Sequence, residues 1–390
     1  MTTEKLLHFD SLFFNVGVMP KDNASHISKY LPFTLVYNHA TGLIEYPKDK
    51  NTAEEIKKSH QGSLSSTTFL GKGTFGVERA NLIQETLIKA LHKPIKQLQF
   101  LEVGCADGYL LNQLKLAGAK KCVGYELGQR RNKYIKNIEI HNIDFVLEES
   151  KAKFDVIYMN QVLEHIDDPI NFLLNCRDCL FKEGMIFLAV PNCEDKLKLG
   201  DIEILTHQHS SYFTSNNLRK IMGYAGYTRV NVQISENKST IFCWGFFDPE
   251  TTNQSMVLHD DETEKLYYQF CKNVNQLIVY MKTHLKQVNE KNKTIGLYGG
   301  GLNLWSMLNT NTTARFFDTD IAKHGLFYPQ FSSLVENPKT LKKDPVDELW
   351  ITPIDYDQVI HDYLLNEIKI SKQIKLVSIK NLLTSLSHND

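Results

Sequence analysis

From residue 77 onward the apolar positions switch between helical spacing and short continuous runs, the signature of strands alternating with helices. The segment 77–93, VERANLIQETLIKALHK, has its apolar residues at helical spacing and predicts an amphipathic helix. Strand-like runs follow at 97–103, 122–125, 154–159 and 185–190, with helices predicted at 109–116, 130–138 and 170–181. Such alternation implies a parallel sheet covered on both faces. After the polar stretch DPETTNQS a long helix is predicted over 262–288, and the pattern then restarts. TIGLYGGGLNLWSMLN reads as strand, glycine turn and helix, ARFFDTD as a second strand, and ELWITPID as a third. The expected fold class is α/β, with two successive parallel-sheet domains over 81–250 and 251–390.

The first 80 residues read differently. Apolar runs at 12–18 and 31–37 are broken by Pro20, Pro32 and Pro47, and QGSLSSTTFLGKGTFG (61–76) predicts a long loop. A small N-terminal domain or lid is expected over 1–80. A chain of 390 residues exceeds what one core usually serves, in keeping with two or three domains. Hydrophobic content of 42% and charged content of 23% exclude a disordered or fibrous chain. The net charge of −1 gives no general pull toward nucleic acid or an anionic membrane, so neither partner is expected. No apolar run approaches the roughly 20 residues that span a bilayer. The opening MTTEKLLHFDSLFF lacks the features of a secretory leader, so a cytoplasmic location is expected. Seven scattered cysteines suit a reducing compartment. Cys176 and Cys179 form a CxxC inside a predicted helix, without a second pair at zinc-finger distance, so they read as core and no metal site is expected.

The sharpest chemical signal is LEVGCADGYLL (101–111). A glycine turn at the carboxyl end of a strand lets backbone approach a ligand and exposes the amides of the next helix. A dinucleotide site would show GxGxxG. Here Glu102, Gly104 and Gly108 form E-x-G-x-x-x-G, which resembles motif I of class I S-adenosylmethionine-dependent methyltransferases. The resemblance implies S-adenosylmethionine as cofactor, with Glu102, Gly104, Cys105, Ala106, Asp107 and Gly108 around its amino-acid end. Glu126 ends the next strand about 20 residues later, where a carboxylate accepts from both ribose hydroxyls in dinucleotide folds. FDVIYMNQVLEHIDDPINFL followed by LFKEGMIFLAVPN is similar to the fourth and fifth strands of small-molecule methyltransferases. That similarity puts Asn160 and Gln161 near the methionine end, with Asp144 a candidate at the adenine edge. A Rossmann-like class I methyltransferase domain over 81–250 is the implied fold.

A wider resemblance covers most of the chain. LTHQHSSYFTSNNLRKIMGYAGY (205–227) resembles the H-E-H-x-S-Y-F segment of nucleotide-sugar C-methyltransferases, which combine a zinc-bearing N-terminal domain, a methyltransferase domain and a Rossmann-like C-terminal domain. GLYGGGLNLWSML, FFDTDIAKHGLFYP and DELWITPIDY fit that last domain and imply a nucleotide-sugar contact at Gly299, Gly300, Gly301 and Asp318. Carbon alkylation beside a ketone needs a base for the α-proton and donors for the enolate oxygen. The resemblance places the base at His209, makes His165 a second acceptor-facing group, and leaves His207 and Tyr212 as further catalytic candidates. Two departures stand out. No cysteine precedes Cys105, so the family's N-terminal zinc is not expected, and its Tyr-x-Glu-His is here Thr206-His207-Gln208-His209. An oxygen acceptor needs only general-base help from one histidine, His209 or His207.

The expected function is therefore methyl transfer to a nucleotide-linked ketosugar, with transfer to a hydroxyl as the alternative. A non-catalytic cofactor-binding relative is a third reading. An NAD-dependent oxidoreductase would need a GxGxxG that neither α/β segment supplies. The stretch 61–76 is expected to close over the acceptor. The sugar's identity and the oligomeric state are left open.

Overall fold

The computed structural model describes residues 7–14, 30–62, 74–127, 138–141, 152–250, 258–308, 310, 312–328, 331 and 333–387. They form two compact units. The first comprises residues 36–194 and 208–264; the second comprises 195–207 and 265–390 with an N-terminal stretch ending at residue 35. The expected boundaries at 80 and 250 thus differ from those observed, and the N-terminal 80 residues do not form a unit of their own. The reason lies in where their apolar side chains go. Strand Leu7–Phe13 pairs antiparallel with residues 30–35. It packs on helix Leu302–Leu308, and Phe13 stacks on Phe331, all within the second unit.

The first unit is built on a seven-stranded sheet in the order Tyr227–Ile234, Thr240–Phe247, Leu180–Pro191, Phe154–Asn160, Gln99–Val103, Lys121–Tyr125, Glu139–His141. Thr240–Phe247 runs antiparallel to both neighbours, and the remaining pairs are parallel. The chain starts in the middle, winds out to Glu139–His141, then returns to the other side. This creates a switch point between Gln99–Val103 and Phe154–Asn160, where ligands bind at the carboxyl ends of open α/β sheets. The central strands read as continuous apolar runs because both faces are buried. Leu101, Ile157, Ile186 and Leu188 pack with Leu218 and Ile221 on one face. Phe100, Val156, Tyr158 and Phe187 pack with Leu110, Leu114 and Leu87 on the other.

Helix Tyr109–Leu116 stands where the spacing predicted it, and the helix expected over 77–93 is Thr74–Ala90, three residues earlier at either end. The helix expected over 170–181 is shorter, Pro169–Cys176, opened by Pro169 in its first turn and by Asp168 accepting from the Asn171 amide. The following strand is correspondingly longer, Leu180–Pro191. Helices Lys50–Gly62 and Thr74–Ala90 reach into the expected loop 61–76 from either side, and its middle, 63–73, lies outside the described residues. So do Asp144 and most of the helix expected over 130–138. All seven cysteines are buried free thiols.

The second unit holds a five-stranded parallel sheet in the order Val335–Glu336, Ala314–Phe317, Ile295–Tyr298, Glu348–Ile351, Lys375–Ser378. Three of these strands were expected, and the two at the edges were not. Helix Asp261–Glu290 matches its expected span within two residues at either end. Among the described residues no helix is long and apolar enough to cross a membrane.

Candidate active site

At the switch point, strand Gln99–Val103 ends in a turn that only glycine-rich sequence tolerates. Gly104, Ala106 and Gly108 have φ of 73°, 47° and 78°, in the left-handed region that a Cβ disfavours. A Cβ on Gly104 would lie 2.4 Å from Cγ2 of Val162. The Gly104 and Cys105 amides donate to the Tyr125 carbonyl at 2.8 and 3.0 Å, and Gly108 donates to Cys105 at 2.7 Å. Asp107 accepts from the Tyr109 amide at 3.0 Å and so opens the next helix. Glu126 accepts from the Ala106 amide at 2.8 Å, so the expected ribose carboxylate sits beside the expected glycine turn. Glu102 lies beneath the turn instead. It is buried and accepts from the Tyr158 hydroxyl at 2.8 Å, and burial pushes its carboxyl up to about 8.

Asn160 ends the neighbouring strand and Gln161 follows it. Gln161 has φ of 55°, and Asn160 Oδ1 and Gln161 Nε2 are buried atoms without a hydrogen-bond partner. A buried polar atom left unpaired costs about 1–3 kcal/mol, so the two amides await a polar partner. The methionine end of S-adenosylmethionine is chemically suited to both, offering a carboxylate and an ammonium. The residues present thus fit the cofactor.

Two residues further on, the turn Leu163–His165 meets the segment that leads into strand Ser211–Tyr212. The His165 Nδ1 donates to the Gln208 carbonyl at 3.0 Å. Ser210 anchors the same junction, donating to Asp167 Oδ1 at 2.6 Å while its amide donates to the Glu164 carbonyl at 2.7 Å. Lys48 reaches Asp167 at 3.1 Å. The His165 and His209 rings lie 5.0 Å apart in a T-shaped contact, and the buried Tyr212 ring is 6.0 Å from His209. Burial, then the positive fields of His165 and Lys48, push His209 down to about 3. Its imidazole is neutral at ordinary pH. Glu164 is 1% exposed, no side chain hydrogen-bonds to either of its carboxylate oxygens, and burial pushes it up to about 8. One ligand atom from each of Glu164, His165 and His209 lies within 4.8 Å of the others.

His207 is not brought to this cluster. It belongs to the second unit, 1% exposed, where Nε2 donates to the Leu31 carbonyl at 3.2 Å and the ring meets Phe14 and Phe33 edge-on. Gly299, Gly300 and Gly301 have φ of 80°, 120° and 70°. A Cβ on Gly299 would strike Pro353 and one on Gly301 would strike Thr352. With Lys196, Asp201, Glu203 and Lys323 they line a cavity of about 420 Å³ in the second unit. Lys196 pairs with Asp355 at 2.9 Å, and Lys323 pairs with Asp318 at 2.7 Å. Glu203 accepts from the Leu304 amide at 2.9 Å.

Sequence reasoning did not single out Glu164, Lys48, Asp167, Ser210 or Glu203. Glu164 stood inside the LEH segment and was passed over for its neighbour. Lys48 carries no local signal, since only the fold brings it to Asp167.

Residues 75–232 match the family model of a methyltransferase domain. A ubiquinone biosynthesis O-methyltransferase of Rickettsia bellii is 22% identical over 247 residues, 57% of this chain and 95% of that protein. A tRNA U34 carboxymethyltransferase of Pseudomonas savastanoi pv. phaseolicola is 32% identical over 113 residues, 26% of this chain and 35% of that protein. Among solved structures, the 1,6-didemethyltoxoflavin-N1-methyltransferase of Burkholderia thailandensis, with S-adenosylhomocysteine bound, has a TM-score of 0.41 at 14% identity, covering 55% of this chain and 96% of that one.

Proposed function

We propose that this protein, which carries an S-adenosylmethionine-dependent methyltransferase domain, transfers the methyl group to a hydroxyl oxygen of a small-molecule acceptor. A nucleotide-linked sugar is the acceptor class that the sequence resemblance suggests. The observation that carries the reading is the His165–His209 pair, its rings 5.0 Å apart, with His165 on the segment that follows the unpaired amides of Asn160 and Gln161 in the chain. The cofactor supplies an electrophilic methyl on a sulfonium. The turn at Gly104–Gly108 and the Glu126 carboxylate hold it. Asn160 and Gln161 pair with its polar end, and the histidines orient the acceptor.

The state of His209 favours oxygen over carbon. Carbon methylation beside a ketone requires a base strong enough to remove the α-proton before the new bond forms. An imidazole pushed down to about 3 is poorly matched to that step. A hydroxyl differs, because its proton becomes strongly acidic as the O–C bond forms, and a weak acceptor then suffices. The tRNA-directed relative matches about a quarter of this chain, so relatives do not carry the expectation of no nucleic-acid partner.

The test offers labelled S-adenosylmethionine with matched nucleotide sugars, each as the 4-keto form and as its 4-hydroxy reduction product, and locates the methyl by NMR. Methyl on oxygen, lost in His209→Ala, is the expected result. Methyl on carbon would overturn the hydroxyl reading and restore the ketosugar reaction. Cofactor binding without transfer to any member would remove nucleotide sugars as the acceptor class.

A further inference from the structure

The structure assigns a second role to Glu164, His165 and His209, which together hold one divalent first-row metal ion that activates the acceptor hydroxyl. This rests on the hydroxyl-transfer reading and changes one element of it, since the imidazoles then act as ligands rather than as proton acceptors.

Three independent features support the site. First, one ligand atom from each residue lies within 4.8 Å of the others, and two imidazoles with one carboxylate are a donor set suited to Mn²⁺, Fe²⁺ or Zn²⁺. Second, the Glu164 carboxylate is 1% exposed and no side chain hydrogen-bonds to either oxygen. Such groups are normally paired or bound to a metal, and Glu164 has two imidazoles in reach. Third, His165 is oriented as metal-binding histidines are, with Nδ1–H donating to a backbone carbonyl, that of Gln208, at 3.0 Å. That bond fixes the tautomer, as the outer hydrogen bond of a metal-binding histidine does. Two cations stand nearby. Lys48 is already engaged by Asp167 at 3.1 Å, and Arg79 acts on Glu164 through its field without a hydrogen bond to it. The expectation of no metal rested on the cysteines and did not weigh a carboxylate with two histidines.

Three protein ligands leave positions open for the acceptor, and two neighbouring oxygens fill them best. The inferred substrate class is therefore an acceptor with adjacent oxygens, a vicinal diol or a hydroxyketone. The ion lowers the pKa of the hydroxyl it touches. The O–H bond breaks and its proton passes to water. The oxygen lone pair forms the O–C bond as the S–C bond breaks, and the sulfonium leaves as a neutral thioether.

The test uses the full chain, stripped with a chelator and dialysed against Mn²⁺, with bound manganese counted by elemental mass spectrometry. His39, His259 and Glu264 form another cluster with metal-ligating spacing, so His259→Ala serves as a control. The wild type and His259→Ala should retain about one ion per chain, while Glu164→Gln and His209→Ala bind at least about tenfold more weakly. S-adenosylhomocysteine affinity within about threefold of wild type shows that each variant is folded. Absence of bound manganese, binding that survives both substitutions, or loss only in His259→Ala would each overturn the site. Hydroxyl methylation that persists in chelator would do the same while leaving the hydroxyl-transfer reading intact. Bound metal with methyl delivered to carbon would instead overturn the activation step. Deoxy acceptors lacking the second oxygen should lose at least about tenfold in kcat/KM, and equal turnover would sink the substrate class.

Discussion

The Ala106 amide donates to the Glu126 carboxylate across 2.8 Å, tying the turn after one strand to the end of its neighbour. Both groups belong to the proposed cofactor site, where the bond would hold the carboxylate toward the ribose hydroxyls. Hydrogen bonds to a charged group contribute about 1.5–3 kcal/mol each. Glu126→Ala should therefore weaken S-adenosylhomocysteine roughly 10- to 100-fold. The variant also loses the bond to the Ala106 amide, so the melting temperature should fall by a few degrees. Calorimetric titration measures the first quantity and thermal unfolding the second. Unchanged affinity would remove Glu126 from the cofactor site.

Gly104 faces Val162 closely enough that a Cβ would stand 2.4 Å from its Cγ2, at φ of 73°. Gly104→Ala therefore combines a backbone cost of about 1–2 kcal/mol with a side-chain clash. Val162→Ala removes only the clash. The double variant should regain part of the stability lost by Gly104→Ala, leaving the backbone cost. Denaturant unfolding of the four proteins measures the coupling. Strict additivity would show that the turn relaxes away from Val162.

Glu102 makes stability depend on pH in a direction opposite to a salt-bridged carboxylate. Burial raises it from 4.5 to about 8, so the folded chain keeps the proton that the unfolded chain releases. Its contribution is complete below 4.5, declines as pH rises, and is gone above about 8. Over that window the wild type should lose on the order of a few kcal/mol relative to Glu102→Gln, which keeps an acceptor for Tyr158 and does not titrate. Unfolding free energies at several pH values test this. Parallel curves for the two proteins would contradict it.

His207 and His209 are two residues apart and have opposite environments. His207 is sealed between Phe14 and Phe33 in the second unit, whereas His209 faces His165 in the first. His207→Ala should lower stability by about 1–3 kcal/mol through the lost bond to the Leu31 carbonyl. Because burial holds His207 down at about 4, below its usual 6.5, its stabilising effect is lost as pH falls through that range. His209→Ala should leave stability nearly unchanged and abolish turnover. Measuring unfolding and kcat/KM on both variants separates the two. Loss of turnover in a fully folded His207→Ala would return His207 to the catalytic candidates.

What the sequence disclosed follows from which demands are local. The Gly104–Gly108 turn was legible because positive φ at its two ends favours glycine, and Glu126 because a strand end fixes its place. The pair Tyr227–Ile234 and Thr240–Phe247 was not, since Arg229 takes φ of 51° and a register shift between Thr228 and Asn231 breaks the alternation. Strand Lys375–Ser378 is an edge strand with one buried residue of four, so it lacks the continuous apolar run that marked Ile295–Tyr298 and Glu348–Ile351. Lys48 and Asp167 meet only through tertiary folding. Dividing residues 1–80 between two units depends on which apolar faces Phe13 and Phe33 cover, which spacing does not encode.

The cavity of the second unit decides whether a nucleotide is part of the acceptor. Its two lysines are engaged, Lys196 with Asp355 and Lys323 with Asp318. Asp201 and Glu203 add two carboxyls that burial pushes up to about 6 and about 7. Glu203 also takes the Leu304 amide, a donor that a phosphate would otherwise use. A diphosphate would thus meet carboxylates at high pH and neutral carboxyls at lower pH. UDP binding to the full chain should tighten as pH falls from about 8 to about 6. Glu203→Gln should tighten it about fivefold at the upper end, as expected for removing a like charge worth ~1 kcal/mol. Fluorescence titration with UDP across that range measures both effects. Binding that ignores pH and the substitution would place the nucleotide elsewhere, and no binding at any pH would leave the acceptor without one.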